Sequence, residues 1–146
     1  MERQLIEEFV ATGQVRFEYR HYLVVDCNVG GNESRRAAEA SECAGEQGDF
    51  WNYHAIVFAN WNGEGEGAFS DRRLKAFAAE IGLDTQAFNA CFDAGRYAND
   101  VRADEALGRQ LGVSRTPTLF INGQLVDNAV DMNEIRTRVQ ALLGGQ

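Results

Sequence analysis

The chain has 146 residues, is 45% hydrophobic and 25% charged, and carries a formal net charge of -8. That length fits one domain with a real core, and no apolar run reaches the roughly 18 residues of a membrane-spanning helix. The acidic balance argues against nucleic acid or a membrane surface of anionic lipid as the main partner.

In chain order, residues 2–11 read as a short helix with Leu5, Ile6 and Phe9 on one face, closed by Thr12-Gly13. The polar, amphipathic start has no apolar stretch of the kind a signal peptide needs, so none is expected in this sequence. Val15, Phe17 and Tyr19 alternate with Arg16, Glu18 and Arg20, which predicts a strand running on to residue 25. Gly30-Gly31-Asn32 is a loop. Residues 33–48 predict an alanine-rich helix, and residues 50–60 an aromatic one with Phe50, Trp51, Tyr53, Ile56, Val57 and Phe58.

Gly63-Glu64-Gly65-Glu66-Gly67 reads as a solvated acidic turn. Ser70 is a good N-cap for a helix with Leu74, Phe77, Ala78 and Ile81 inward, ended by Gly82. Asp84 caps a brief helix with Phe88, Cys91 and Phe92 inward, ended by Gly95. Residues 97–111 form the next helix, with Val101, Leu107 and Leu111, and Gly112 follows as its C-terminal glycine. Asn122-Gly123 is a two-residue hairpin signal of type I′ between an apolar run at 118–121 and a return strand at 124–126. Asp131 starts a last helix with Ile135, Val139, Leu142 and Leu143 inward. Helices around a small sheet of three strands make an α/β arrangement.

The one proline, Pro117, stands where a chain of this length would average about 7. It opens the apolar run in Thr116-Pro117-Thr118-Leu119-Phe120-Ile121-Asn122-Gly123. Proline is tolerated at a strand's first position, and an X-Pro bond is the common place for a cis peptide. Local sequence leaves both readings open. The three cysteines, Cys27, Cys43 and Cys91, include no C-x-x-C pair.

Three separated motifs resemble the DsbA-like branch of the thioredoxin-fold thiol–disulfide oxidoreductases. They are Ala37-Ala38-Glu39-Ala40-Ser41-Glu42-Cys43-Ala44-Gly45-Glu46-Gln47-Gly48-Asp49-Phe50-Trp51-Asn52-Tyr53-His54, the stretch from Gly82 through Cys91 to Tyr97, and the run from Gly112 to Gly123. The resemblance implies a single thioredoxin-like domain over residues 1–146, with a helical insertion at about 33–111. It implies a cis Thr116–Pro117 bond, whose loop of Arg115, Thr116 and Pro117 holds an extended peptide or protein segment. It also implies a structural disulfide between Cys43 and Cys91, against the alternative of two buried thiols. Such a bridge closes a loop of about 48 residues, worth about 4 kcal/mol in the chain-entropy model.

The sequence departs from that family at one point. The family's first, central strand and its C-x-x-C, where a helix N-terminus activates the first thiol, have no counterpart in it. The expectation is therefore a redox-inactive chain without catalytic residues. The alternative is a non-catalytic module that binds a peptide or partner. An open central position in the sheet points to a homodimer or to a partner strand added in trans. Cys27, beside Asp26 whose charge raises a thiol pKa, is read as a plain thiol rather than a nucleophile. His21 and His54 fall at no familiar metal spacing, so neither a metal site nor a cofactor is expected. Trp51, Tyr53, Trp61 and Phe69 are read as core rather than as the lining of a groove.

Overall fold

The first helix opens with one α-turn, α1 (Glu2–Leu5), and continues as a π-helical turn, Ile6–Val10. Later come α2 (Val24–Val29), α3 (Glu33–Gly45), α4 (Phe50–Ala59), α5 (Asp71–Glu80), α6 (Thr85–Asp93) and α7 (Ala98–Gln110). A hairpin of β1 (Phe120–Ile121) and β2 (Gln124–Leu125) precedes the last helix, α8 (Met132–Gly144). The computed structural model describes residues 2–63 and 65–145. Contacts group them into two compact units, Met1–Arg20 with Val113–Gln146, and His21–Gly112.

In the first unit the hairpin is antiparallel, with Phe120 opposite Leu125 and Ile121 opposite Gln124. Asn122 (φ 47) and Gly123 (φ 77) both occupy the left-handed region that a type I′ turn demands. A further bond from Val126 N–H to Leu119 O, 2.9 Å, extends the pairing past β2. The core is built by Leu5 and Phe9 from the first helix, Val126 from the hairpin's return, and Ile135 and Val139 from α8. Asp131 caps α8 through its carboxylate, which accepts from the N–H groups of Asn133 and Glu134. Glu8 and Arg136 tie the first helix to α8 at the surface with bonds of 2.6 and 2.5 Å.

The second unit is all helix. α3 buries Ala37, Ala40, Cys43 and Ala44, and these small side chains let α4 and α6 approach closely. Its N-terminus is capped from a distance: the Asp26 carboxylate accepts from Ser34 N–H and Arg35 N–H, both at 2.9 Å. α4 turns Tyr53 and Val57 inward, and the Tyr53 hydroxyl donates to Leu74 O on α5 at 2.8 Å. Asp84 caps α6 by accepting from Gln86 and Ala87 N–H. Ser70 stands at the N-cap of α5 with extended backbone, but its hydroxyl makes no capping bond.

Two expectations are corrected. Residues 15–20 keep the period-two alternation, with Val15, Phe17 and Tyr19 partly buried and Arg16, Glu18 and Arg20 exposed, yet they form no strand. Alternation reports which way side chains face, while a strand needs a ladder, and the sheet of the described residues is the two-stranded hairpin. The end of that predicted strand is helical instead, so Cys27 lies in α2. Second, Trp51 and Trp61 are not core: they are 40% and 59% exposed, whereas Tyr53 is fully buried. One inward face of α4 accommodates Tyr53 and Val57, and the helical period places Trp51 and Phe58 on the opposite side.

Candidate functional site

Gly112, two residues past the end of α7, has a φ of 76 and turns the chain away from the helix. A loop follows in which Ser114, Arg115, Thr116 and Pro117 are all exposed. Its two ends are fixed. The Arg115 guanidinium donates to Asp127 O at 2.8 Å, and the Thr118 hydroxyl donates to Arg115 O at 2.6 Å. Leu119 then enters the hairpin pairing, so the loop sits on a rigid base. The Thr116–Pro117 peptide bond is cis. No hydrogen bond of the described residues engages the Thr116 backbone. The loop thus presents one open backbone donor and acceptor beside a cation, the equipment needed to pair with an extended chain.

The two insertion cysteines lie in the other unit. Cys43 on α3 and Cys91 on α6 form a disulfide with Cα atoms 5.9 Å apart. They are 1% and 0% exposed, set among Ala40, Ala44, Tyr53 and Phe88. A sulfur at that depth has no path to a substrate. The side chain of Cys27 lies outside the described residues, as does Glu64 of the acidic turn. Among the described residues no group of three His, Cys, Asp or Glu is placed to hold a metal. No helix of the described residues is long and apolar enough to cross a membrane.

Around the disulfide the sequence reading missed a polar network. Arg36 on α3 donates to Glu39 at 2.6 Å and to both carboxylate oxygens of Asp71 on α5 at 3.0 Å. Its guanidinium also lies 3.7 Å from the Phe92 ring centroid on α6. Hydrogen bonding from Arg36 holds the Asp71 carboxyl below its ordinary value. Glu39, with its side chain 5% exposed, is a buried carboxylate paired with that arginine. The Arg36/Glu39 spacing of three was visible in the sequence; the Asp71 and Phe92 partners were not, because only the fold brings them in.

A second group surrounds His21. Its ring nitrogen Nε2 lies 2.9 Å from Glu42 on α3, and its backbone N–H donates to Asp104 on α7 at 3.1 Å. The His54 ring stacks on Phe50 and meets Phe58 at a tilt, with ring centroids 6.0 and 4.5 Å away. At the end of α3, Glu46 accepts from Arg96 and from the Tyr97 hydroxyl. These two donors, Arg96 first, lower its carboxyl pKa. The bonds of His21 and of Glu46 tie neighbouring segments of the helical unit to each other.

A family model described as "Thioredoxin" matches residues 1–141. The disulfide bond formation protein D of Bacillus subtilis is 26% identical over an alignment covering 96% of this chain and 62% of that protein. The Na(+)/H(+) antiporter NhaA 1 of Salinispora arenicola is 27% identical over 98% of this chain, and the antiporter NhaA of Herminiimonas arsenicoxydans 32% over 72%. The chain spans only 20% and 16% of those two antiporters. Among solved structures, oxidised BdbD from Bacillus subtilis superposes with a TM-score of 0.83 at 23% identity, covering 97% of this chain and 76% of that one. A family match over nearly every residue leads to one assignment: the chain belongs to the thioredoxin family.

Proposed function

We propose that residues 1–146 act as a substrate-holding module of the disulfide-oxidoreductase type, without a working dithiol of their own. The observation that carries this reading is a contrast in exposure. The loop of Arg115, Thr116 and Pro117 is open, while Cys43 and Cys91 are bonded and at most 1% exposed. Thiol–disulfide exchange needs a thiolate that can reach a substrate sulfur, and the chain contains no C-x-x-C pair. An extended peptide laid along the loop pairs with the Thr116 backbone, and Arg115 adds charge attraction. The likeness to the Bacillus relative, a disulfide bond formation protein, supports the oxidoreductase ancestry. The antiporter relatives support a module that works attached to a larger protein or beside one.

Dithiothreitol-driven reduction of insulin tests the redox part. The intact chain is expected to leave the uncatalysed rate unchanged. Acceleration that disappears in Cys27→Ser would overturn it, because a reactive thiol would then exist. The homodimer belongs to the same proposal. Light scattering behind size exclusion is expected to give twice the monomer mass, and a clean 16.2 kDa species contradicts it.

A further inference from the structure

Two asparagines of the chain, Asn62 and Asn122, are followed by glycine, and every other one precedes a residue with a side chain. An asparagine carries its own electrophile, the carboxamide carbon Cγ. The backbone nitrogen of the next residue can close a five-membered ring on it. A side chain on that next residue screens the nitrogen, and glycine has none. Closure also requires the nitrogen to reach Cγ in an attack geometry. Both asparagines are exposed, so backbone geometry decides between them. Asn122 sits in the hairpin turn, with Ile121 paired to Gln124 across it. Its φ of 47 and the 77 of Gly123 are those of a type I′ turn. The first central residue of such a turn has a ψ of about +30°, which carries the next nitrogen to the side of Cα away from Cβ. The Asn122 carboxamide and the Gly123 nitrogen therefore meet only if the turn opens.

Asn62 carries no such restraint. The bonds that close α4 end with Trp61 N–H to Phe58 O, and Asn62 and Gly63 lie in neither helix nor strand. Among the described residues no hydrogen bond engages the Gly63 N–H. Gly63 has a φ of 128, and a Cβ there would stand 2.9 Å from Glu66 Cγ, so a larger residue is strained at the position whose bare nitrogen faces Asn62. We propose that Asn62 is a self-modification site, while Asn122, with the same neighbour, is held unreactive by its turn. The Gly63 nitrogen bonds to Asn62 Cγ and gives its proton to solvent. The bond from Cγ to the side-chain nitrogen breaks, and that nitrogen leaves as ammonia with a proton from water. One water then opens the cyclic imide at either carbonyl, leaving aspartate or isoaspartate, with no change of oxidation state. The product places a carboxylate beside Trp61, which is 59% exposed, and takes the formal charge from -8 to -9. The isoaspartate form also lengthens the main chain by one methylene just past α4. The site uses neither the disulfide nor the cis-proline loop.

The intact chain is held at mildly alkaline pH, reduced, digested with trypsin and read by mass spectrometry, with a time-zero sample to subtract conversion during digestion. Asn62 and Asn122 fall in different peptides, residues 37–72 and 116–136. Conversion of amide to acid is expected at Asn62, and at Asn122 at a rate lower by at least about tenfold, the effect of about 1.4 kcal/mol on the barrier. Both aspartate and isoaspartate are expected at position 62, because the ring opens on either side. In urea the two sites are expected to convert at similar rates, since the turn that restrains Asn122 is gone. Equal rates in the folded chain would overturn the proposal. So would aspartate alone at position 62, the mark of direct hydrolysis without a ring, or conversion of Asn62 in urea only. Asn62→Gln is expected to abolish the change in peptide 37–72, because a glutamine needs a larger ring. Its persistence would place the reaction at Asn52 or Asn60 and overturn the assignment. Asn62 is exposed, so this replacement leaves the core intact.

Discussion

Arg36 is the most consequential single side chain of the insertion. It holds a buried carboxylate, Glu39, pairs with Asp71 across to α5 and covers the Phe92 ring next to Cys91. Removing one partner of a buried pair leaves an uncompensated charge, so Arg36→Ala is expected to cost about 3 kcal/mol in urea unfolding. Loss of under about 1 kcal/mol, the range of a surface pair, would show that the network is only decoration. Gly108 is a second such position. A Cβ there would stand 2.7 Å from the Tyr22 ring, so Gly108→Ala is expected to destabilise by about 1–3 kcal/mol, despite alanine's better helix propensity. The partners that give the two positions their weight were not legible in the sequence. Local chemistry was: Asp84 and Asp131 each precede a helical run and cap it as read. Capping acts within three residues, whereas Asp71 and Tyr22 reach their partners only through the fold.

At the scale of elements, the helices were legible because their amphipathic period and glycine endings survive in the structure almost residue for residue. The Asn122-Gly123 hairpin was legible for the same reason, its turn chemistry being local. Gly123→Ala, at a φ of 77, is expected to cost about 1 kcal/mol by melting temperature. The run at residues 15–25 was misread, because alternation carries no information about pairing. Trp51 and Trp61 were misread because hydrophobicity alone does not distinguish the inner from the outer face of α4. The disulfide ties α3 to α6 across a separation of 48 residues. Cys43→Ala with Cys91→Ala is expected to lower stability by about 4 kcal/mol through the freed unfolded chain, less whatever the neighbouring Arg36 contacts retain in it.

At the scale of the whole molecule, three surface pairs share one electrostatic signature. Glu8 is lowered by its hydrogen bond from Arg136, Glu46 by those from Arg96 and then Tyr97, and Asp71 by that from Arg36. A carboxyl whose folded pKa lies below its unfolded one contributes stability that is present above the unfolded value. That contribution is lost as pH falls through the folded one. Thermal melts are therefore expected to fall steeply below about pH 4, and Asp71→Asn to remove part of that acid dependence. A flat acid limb would contradict the pairing. The fold class and the position of the cis-proline loop were legible from three separated motifs. The division into a helical unit and a hairpin-bearing unit was not, since the expected single domain gives no sign of which contacts are dense. How the loop works depends on backbone groups, which sequence does not display.

The central claim is that Arg115, Thr116 and Pro117 hold an extended chain while the thiols of this sequence stay out of the chemistry. The most direct measurement is an amide NMR titration of the intact chain with an unstructured peptide lacking cysteine. Shift changes are expected to concentrate on residues 114–118 and the adjoining β1, with no change at Cys43 or Cys91, and Thr116→Pro is expected to abolish them. Saturable changes centred elsewhere, or none at the loop at millimolar peptide, would contradict the account.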